Sequence, residues 1–300
     1  QNKKGGSCAM GSPFQETIDV IAEKQETINR LKVKMDEALK IALADTGKLV
    51  RVAGLNLLKK SSLQKELIVS LLIDVINNRT VEEKQAALNT LGTLPFGNTE
   101  KALIELLNQY SNGSLTKEIQ YELGDAITAS GSTTLLQKFN QVAKTSSPDS
   151  LKAAYASTMY GGSAGKGKNI FLNSNAAQCV RCHAIDDYGG NVGPRLNGVA
   201  NRLTTNQLLE ALIEPSARIA PGYGMVTLEL KNHKKLNGVL QAEKPQAYQI
   251  KIGGKSDTLV KKSDVLNKIM SPSSMPKMSL ILSKKDIRNV IAYLSTLKED

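Results

Sequence analysis

The stretch NAAQCVRCHAIDDYGGNVGPRLNG, Asn175 to Gly198, holds two of the three cysteines and one of the two histidines in a chain of 300 residues. Cys179, Cys182 and His183 stand together as Cys-x-x-Cys-His. On a helix, thiols at i and i+3 face one side, and the imidazole follows at the next turn position. What needs these three groups in one place decides how the flanking sequence folds.

Four chemistries use such a cluster. A zinc site needs about four ligands, and the only other thiol or imidazole groups, Cys8 and His233, are remote in sequence and in unrelated contexts. A thioredoxin-like pair expects a βαβ setting, whereas the flanks here are helical and glycine-rich. A plain disulfide has no use for the adjacent histidine. The fourth is haem: Cys-x-x-Cys-His is the attachment signature for the c-type cofactor. Both sulfurs can form thioethers to the vinyl groups of one haem while the imidazole reaches its iron from the same side. The motif therefore predicts one covalent haem c, attached through Cys179 and Cys182 and ligated by His183.

The sixth iron position decides between electron transfer and ligand chemistry. His233 lies in a KNHKK turn and reads as solvated. Among the seven methionines, Met10 falls in an odd N-terminal segment, Met35 and Met159 in helices where packing accounts for them, Met225 at the start of a strand, and Met270 before the final loop. Met275, in SSMPK, has the context of a ligand: Pro276 stiffens the loop, and a helix starts about eight residues on. Met278 is its rival. The expected metal ligands are His183 and Met275.

Upstream, residues 15 to 159 read as helix after helix. Ile18, Ile21, Ile28, Leu31, Met35, Leu39 and Leu43 recur mostly at three- and four-residue steps, with Gly47 as a stop. Shorter amphipathic segments follow near 48–60, 63–77, 81–92, 99–110, 115–129, 132–144 and 148–159. Sequences starting at Val52, Gln85, Gln120 and Lys152 echo one another at steps of 33, 35 and 32 residues. Helix pairs at that period are the mark of an α-solenoid, and the stretch resembles HEAT-type repeats; an irregular helical bundle is the alternative. From Gly161 the character changes. A glycine-rich hinge runs into a short helix and the cysteine motif. TTNQLLEALIEPS then reads as a helix capped by Thr204 or Thr205 and ended by Pro215. Alternating residues from Val226 to Ile252, with turns at Lys231-Asn232, Asn237-Gly238 and Gly253-Gly254, predict a meander or small barrel of four or five strands over about 224–264. A last helix is capped by Ser283.

These residues resemble a class I cytochrome c. GKGKNIFLNSNAAQCVRCH is similar to the first helix and attachment segment of that family, VGPRL to the loop that follows, MP to the distal methionine loop, and DIRNVIAYLSTL to the C-terminal helix. The resemblance implies that the Pro194 carbonyl accepts from the second ring nitrogen of His183. It also implies that Gly167 and Phe171 pack near Tyr293 where the first helix crosses the last. Phe171, Leu196 and the methionine loop would bury the haem edge, and Arg202 would pair with a propionate. A closer likeness, in order as well as motif, is to the haem-binding domain of large membrane-bound dehydrogenases typified in Planctomycetes and Verrucomicrobia. It rests on QCVRCH, GPRLNGVANRLTTNQLLEALIEPSARIAPGY, a strand block and SPSSMP, and covers roughly 161–298. Such domains often follow helical repeats and, before those, a β-propeller dehydrogenase.

The expected fold class is thus mainly α: a linker or tag-like segment at 1–14, HEAT-like repeats over 15–160, and a mono-haem cytochrome domain over 161–300 with the β insertion. Hydrophobic content of 41% supports packed domains, and no run reaches the ~18 apolar residues of a membrane span. The net charge of +11 is uneven, with 19 Lys and Arg against 17 Asp and Glu in residues 1–160 and 20 against 11 in 161–300. Few aromatics and no reading motif argue against nucleic acid, so the basic half points to an acidic docking face on a redox partner or fused dehydrogenase. Function is expected to be electron relay rather than catalysis, on the periplasmic side of a bacterial envelope, where covalent haem is matured. The rivals are a haem enzyme or ligand sensor with an open sixth site, and a repeat scaffold with a structural haem. A lipid anchor at Cys8 lacks a preceding apolar stretch.

Overall fold

A computed structural model describes residues 13–146, 149–254 and 256–299. Cys8 and Met10 lie outside the described residues. The chain is mainly helical with a small antiparallel sheet region. It divides into two compact units, one of residues up to Gly113 with Glu122–Leu136, the other of Ser114–Tyr121 with residues from Gln137 on.

The first unit contains α1 (Pro13–Ala44), α2 (Lys48–Leu57), α3 (Lys65–Asn78), α4 (Val81–Leu91) and α5 (Phe96–Ser111); α6 (Gln120–Ala129) and α7 (Thr133–Ser146) run across the boundary. Helix α2 packs on α1 and α4, and α3 on α4 and α5, so alternate helices are neighbours. Leu55, Leu58, Ile68, Leu72, Leu88 and Leu103 form the interior. Gly92 closes on α6, where an added Cβ would stand 2.6 Å from Ala126 Cα. Beneath this contact Thr90 Oγ1 donates to the Leu55 carbonyl (2.9 Å), and Arg51 Nε donates to the buried Glu83 carboxylate (2.7 Å). The expected stop at Gly47 belongs to the next helix instead. Helix α1 ends at Ala44, Asp45 Oδ1 accepts from the Gly47 amide (2.6 Å), and Gly47 caps the start of α2.

In the second unit α8 (Ser150–Tyr155) precedes α9 (Ala164–Asn173), the single turn α10 (Cys179–Cys182), and a hairpin of β1 (Ala184–Ile185) and β2 (Tyr188–Gly189). Then come α11 (Val199–Arg202), α12 (Thr205–Ile213), the sheet, and α13 (Lys284–Leu294). The hairpin was not expected. Its two-residue turn, Asp186-Asp187, has Asp186 at φ 52°, the left-handed geometry such turns require. Ser163, Thr204 and Ser283 cap α9, α12 and α13 through side-chain oxygens, and Thr204 with Gln207 completes a capping box.

The core of this unit gathers Phe171, Leu209, Ile213, Ile287, Val290 and Ile291. Helices α9 and α13 cross in close contact because Gly167 has no side chain; a Cβ there would lie inside contact distance of the Asn289 carbonyl oxygen. Arg288, only 3% exposed, donates from Nε to the Tyr160 carbonyl (2.6 Å) and from Nη2 to the Glu118 carbonyl (2.7 Å). These bonds tie residues 114–121 and Tyr160 to α13. Met159, expected to pack among the repeats, packs on this core instead.

The sheet has five antiparallel strands: β3 (Gly224–Leu230), β4 (Lys235–Glu243), β5 (Ala247–Lys251), β6 (Asp257–Lys261) and β7 (Val265–Met270), in the order β6-β5-β4-β3-β7. It therefore extends past the expected end at 264. VLNKIM was not legible as a strand because its apolar residues come in pairs rather than in alternation, and a bulge at Glu229/Leu230 shifts its register. Three residues separate the edge strands β6 and β7. That link reaches at most about 14 Å, less than the roughly 19 Å between the edges of a flat five-stranded sheet. The sheet must curl, and the cluster of Val226, Leu228, Ile250 and Val260 fills its concave side. At the closed end Lys262 and Lys268 both bond Glu243 (2.8 Å each) and lie over the Tyr248 ring.

Candidate functional site

The second unit encloses a cavity of about 480 Å³, within the usual range for small-molecule and cofactor pockets. Cys179, Cys182, His183, Pro194, Leu196, Arg202, Phe171 and Met275 all line it. These eight residues span more than a hundred positions, and one cavity collects them. His233 does not line it; it is exposed, with φ 66°, in the turn between β3 and β4.

The attachment motif is built by a single helical turn. Gln178 enters it in the left-handed region (φ 47°), and His183 leaves it extended (φ −111°, ψ 135°). The imidazole is thus held by the segment after the helix rather than on the helix itself. His183 Nδ1 lies 2.8 Å from the Pro194 carbonyl oxygen. A carbonyl only accepts, so Nδ1 carries a proton, and in the neutral ring that leaves the Nε2 lone pair for a ligand or metal. Gly193, whose amide donates to the Cys182 carbonyl (2.7 Å), lies against the ring: a Cβ there would stand 2.6 Å from His183 Cε1. Gly189 and Gly190 likewise lie against the backbone of His183 and Arg181, leaving no room for side chains. The run of glycines in YGGNVG is what lets the hairpin and the following loop fold onto the motif.

Both thiols are free and half-buried. Burial pushes the Cys179 thiol above its ordinary range, with the Cys182 thiol adding to the effect. A redox or nucleophilic cysteine of a thioredoxin-like pair has the opposite shift. Among the described residues, no group of three His, Cys, Asp or Glu side chains comes together as a metal site. The nitrogen and sulfur donors at the cavity include one imidazole, two thiols and two thioethers.

Those thioethers differ in setting. Met275 is half-buried, and its amide donates to Ser273 Oγ (3.1 Å). Met278 also lines the cavity but is 3% exposed and belongs to the hydrophobic core. On the α9 side, Phe171 meets Tyr293 with ring centroids 5.7 Å apart, tilted by 58°.

Arg202 is committed to backbone: Nη1 donates to the Asn197 carbonyl (2.7 Å) and Nη2 to the Arg195 carbonyl (3.1 Å). Arg195 and Arg218 line the same cavity, Arg218 beside Glu210 (3.5 Å), together with Ile219 and Tyr223. These four were not singled out from the sequence. For Arg218, Ile219 and Tyr223 the only signal was ARIAPGY itself, an arginine and a tyrosine in a proline-bounded loop between helix and strand, which carries no periodicity; Arg195 stood in VGPRL, where Pro194 was the residue read.

No helix among the described residues is long and apolar enough to cross a membrane. No protein-family model matches the chain, and no curated protein matches its sequence.

Proposed function

We propose that the second unit is a mono-haem, c-type electron carrier with the class I cytochrome fold, and that the helical half is a HEAT-like α-solenoid. One observation carries the proposal: Cys179, Cys182, a Nδ1-protonated His183 and the Met275 thioether all line a single, largely apolar cavity. The donor set suits haem c. Two free thiols one helical turn apart would supply thioether attachment, and His183 would offer Nε2 because Pro194 occupies the other nitrogen. When bound, haem supplies a one-electron Fe(III)/Fe(II) couple.

What the chain's own residues do follows from their placement. Pro194 fixes the tautomer and orientation of His183, and Gly193 admits the ring. Phe171, Leu196, Val199 and Leu208 keep water from the cavity. Met275 would hold the group as a second donor, and a thioether in that role would raise its potential relative to a second imidazole. Arg195, Arg202 and Arg218 place positive charge at the lining, suited to the haem carboxylates. The crossing of α9 and α13 at Gly167 and the Phe171–Tyr293 contact support the cytochrome assignment. Stacking of α2 on α4 and α3 on α5 supports the solenoid. The basic second half suits a redox partner or fused dehydrogenase with an acidic face, on the periplasmic side of a bacterial envelope.

The test is expression with an exported c-type maturation system. Haem that stays with the polypeptide in a denaturing gel, and is lost in the Cys179→Ser/Cys182→Ser variant, is the expected result, with a low-spin ferric spectrum. No covalent haem overturns the assignment; a high-spin ferric spectrum turns it toward ligand chemistry.

A further inference from the structure

The inserted sheet leaves and rejoins the unit at one place. Its root strands β3 and β7 are adjacent and antiparallel, with Val226 opposite Met270, and pairing continues past the strand end, where the Ser271 amide donates to the Met225 carbonyl (2.9 Å). The segment before the sheet and the segment after it are thereby laid side by side, although Ser216 and Ser273 are 57 positions apart. Gly224 tightens the junction, since a Cβ there would stand 2.9 Å from Met270 Cε and 3.0 Å from Ile219 Cγ2.

Across this junction runs a chain of two hydroxyls. The Ser273 amide donates to Ser216 Oγ (3.1 Å), and the Met275 amide donates to Ser273 Oγ (3.1 Å). Pro272 and Pro276 flank the loop, each with a fixed φ and no amide proton. Ser273 and Met275 line the cavity, as does Ile219 from the opposing segment.

We infer that Ser216 is a positioning residue for Met275, acting through Ser273, and that the inserted sheet serves to bring the two hydroxyls together; this rests on the proposed role of Met275 as the donor opposite His183. The Met275 side chain packs against the core of the unit, and the backbone of its proline-bounded loop is held by these two serine bonds. The Ser216 hydroxyl anchors that loop to the end of α12, so the loop opens as a unit when the anchor is lost.

The experiment compares Ser216→Ala, Ser273→Ala and Ser216→Thr in the full chain. In haem-loaded protein, imidazole competes with Met275 for the iron. Ser216→Ala and Ser273→Ala are expected to bind it about fivefold more tightly, the effect of one lost hydrogen bond on loop opening, while Ser216→Thr stays near wild type. Amide hydrogen exchange should accelerate at Ser273 and Met275 in Ser216→Ala and at Met275 in Ser273→Ala, and keep its wild-type rate in Ser216→Thr. Unchanged imidazole affinity together with unchanged exchange overturns the inference. If no haem attaches to any version, exchange alone decides: faster exchange in Ser216→Ala retains the anchor while the cofactor assignment falls, and unchanged exchange removes the anchor as well.

Discussion

His183 Nδ1 and the Pro194 carbonyl oxygen lie 2.8 Å apart, eleven residues from one another along the chain. Between them the backbone makes a hairpin and a glycine-lined loop, and that excursion aims the imidazole. Orientation of this ring is thus a property of the loop, not of the helix that carries the cysteines.

Gly193→Ala tests the loop directly. Its Cβ would meet His183 Cε1 at 2.6 Å, so the ring must turn or the loop must shift. We expect a cost of about 1–3 kcal/mol and a ferric spectrum showing weakened histidine ligation. A wild-type spectrum and melting temperature would show that the loop has slack.

Met275 and Met278 should separate by phenotype. Met275→Ala, at a half-buried position, is expected to leave the fold stable but open the sixth site, converting a low-spin ferric spectrum to high-spin. Met278→Ala removes a core side chain and should cost about 2–5 kcal/mol in denaturant unfolding while the iron stays low-spin. The reverse pattern would make Met278 the ligand.

Gly167→Ala addresses the crossing of α9 and α13. With the Asn289 carbonyl against that position, an added methyl group separates the helices. Unfolding should be easier by about 3 kcal/mol in denaturant. An unchanged midpoint would mean the helices can part freely.

Acid should weaken the first unit through Glu83. Arg51 beside it, with help from Thr80, holds its carboxyl down to about 2, against an ordinary value of 4.5. The folded state therefore binds this proton less readily than the unfolded chain. The resulting stability is fully present above about pH 4.5 and is lost as pH falls toward 2. Arg51→Met should cost about 2–3 kcal/mol at pH 7, and its unfolding curve should approach that of wild type as pH drops below 4.5. A gap that stays constant from pH 7 to pH 3 would contradict the pairing.

Much was legible along the chain because local patterns carry it. Helical periodicity marked α2 to α8 to within a few residues, and hydroxyl caps at Thr204 and Ser283 marked two helix starts. Alternation marked β3, whose first residues alternate between a packed face and an open one, and β5; the turn expected at Asn237-Gly238 instead lies inside β4, where both residues pair with β3. Where two side chains of one type had to be told apart by surroundings, pattern stopped helping: β7 hid behind paired apolar residues, and Arg195 and Arg218 behind an irregular loop.

From sequence alone came the cluster at Cys179, Cys182 and His183, because two thiols and an imidazole at that spacing have few chemical uses. Tertiary structure alone decided what they face. A carbonyl eleven residues on selects the protonated nitrogen of His183, and a curled sheet brings Ser216 beside Ser273. Those relationships depend on how distant backbone segments close on one another, through glycines that leave room and hydrogen bonds that span it, and a linear pattern of residue types does not encode that closure.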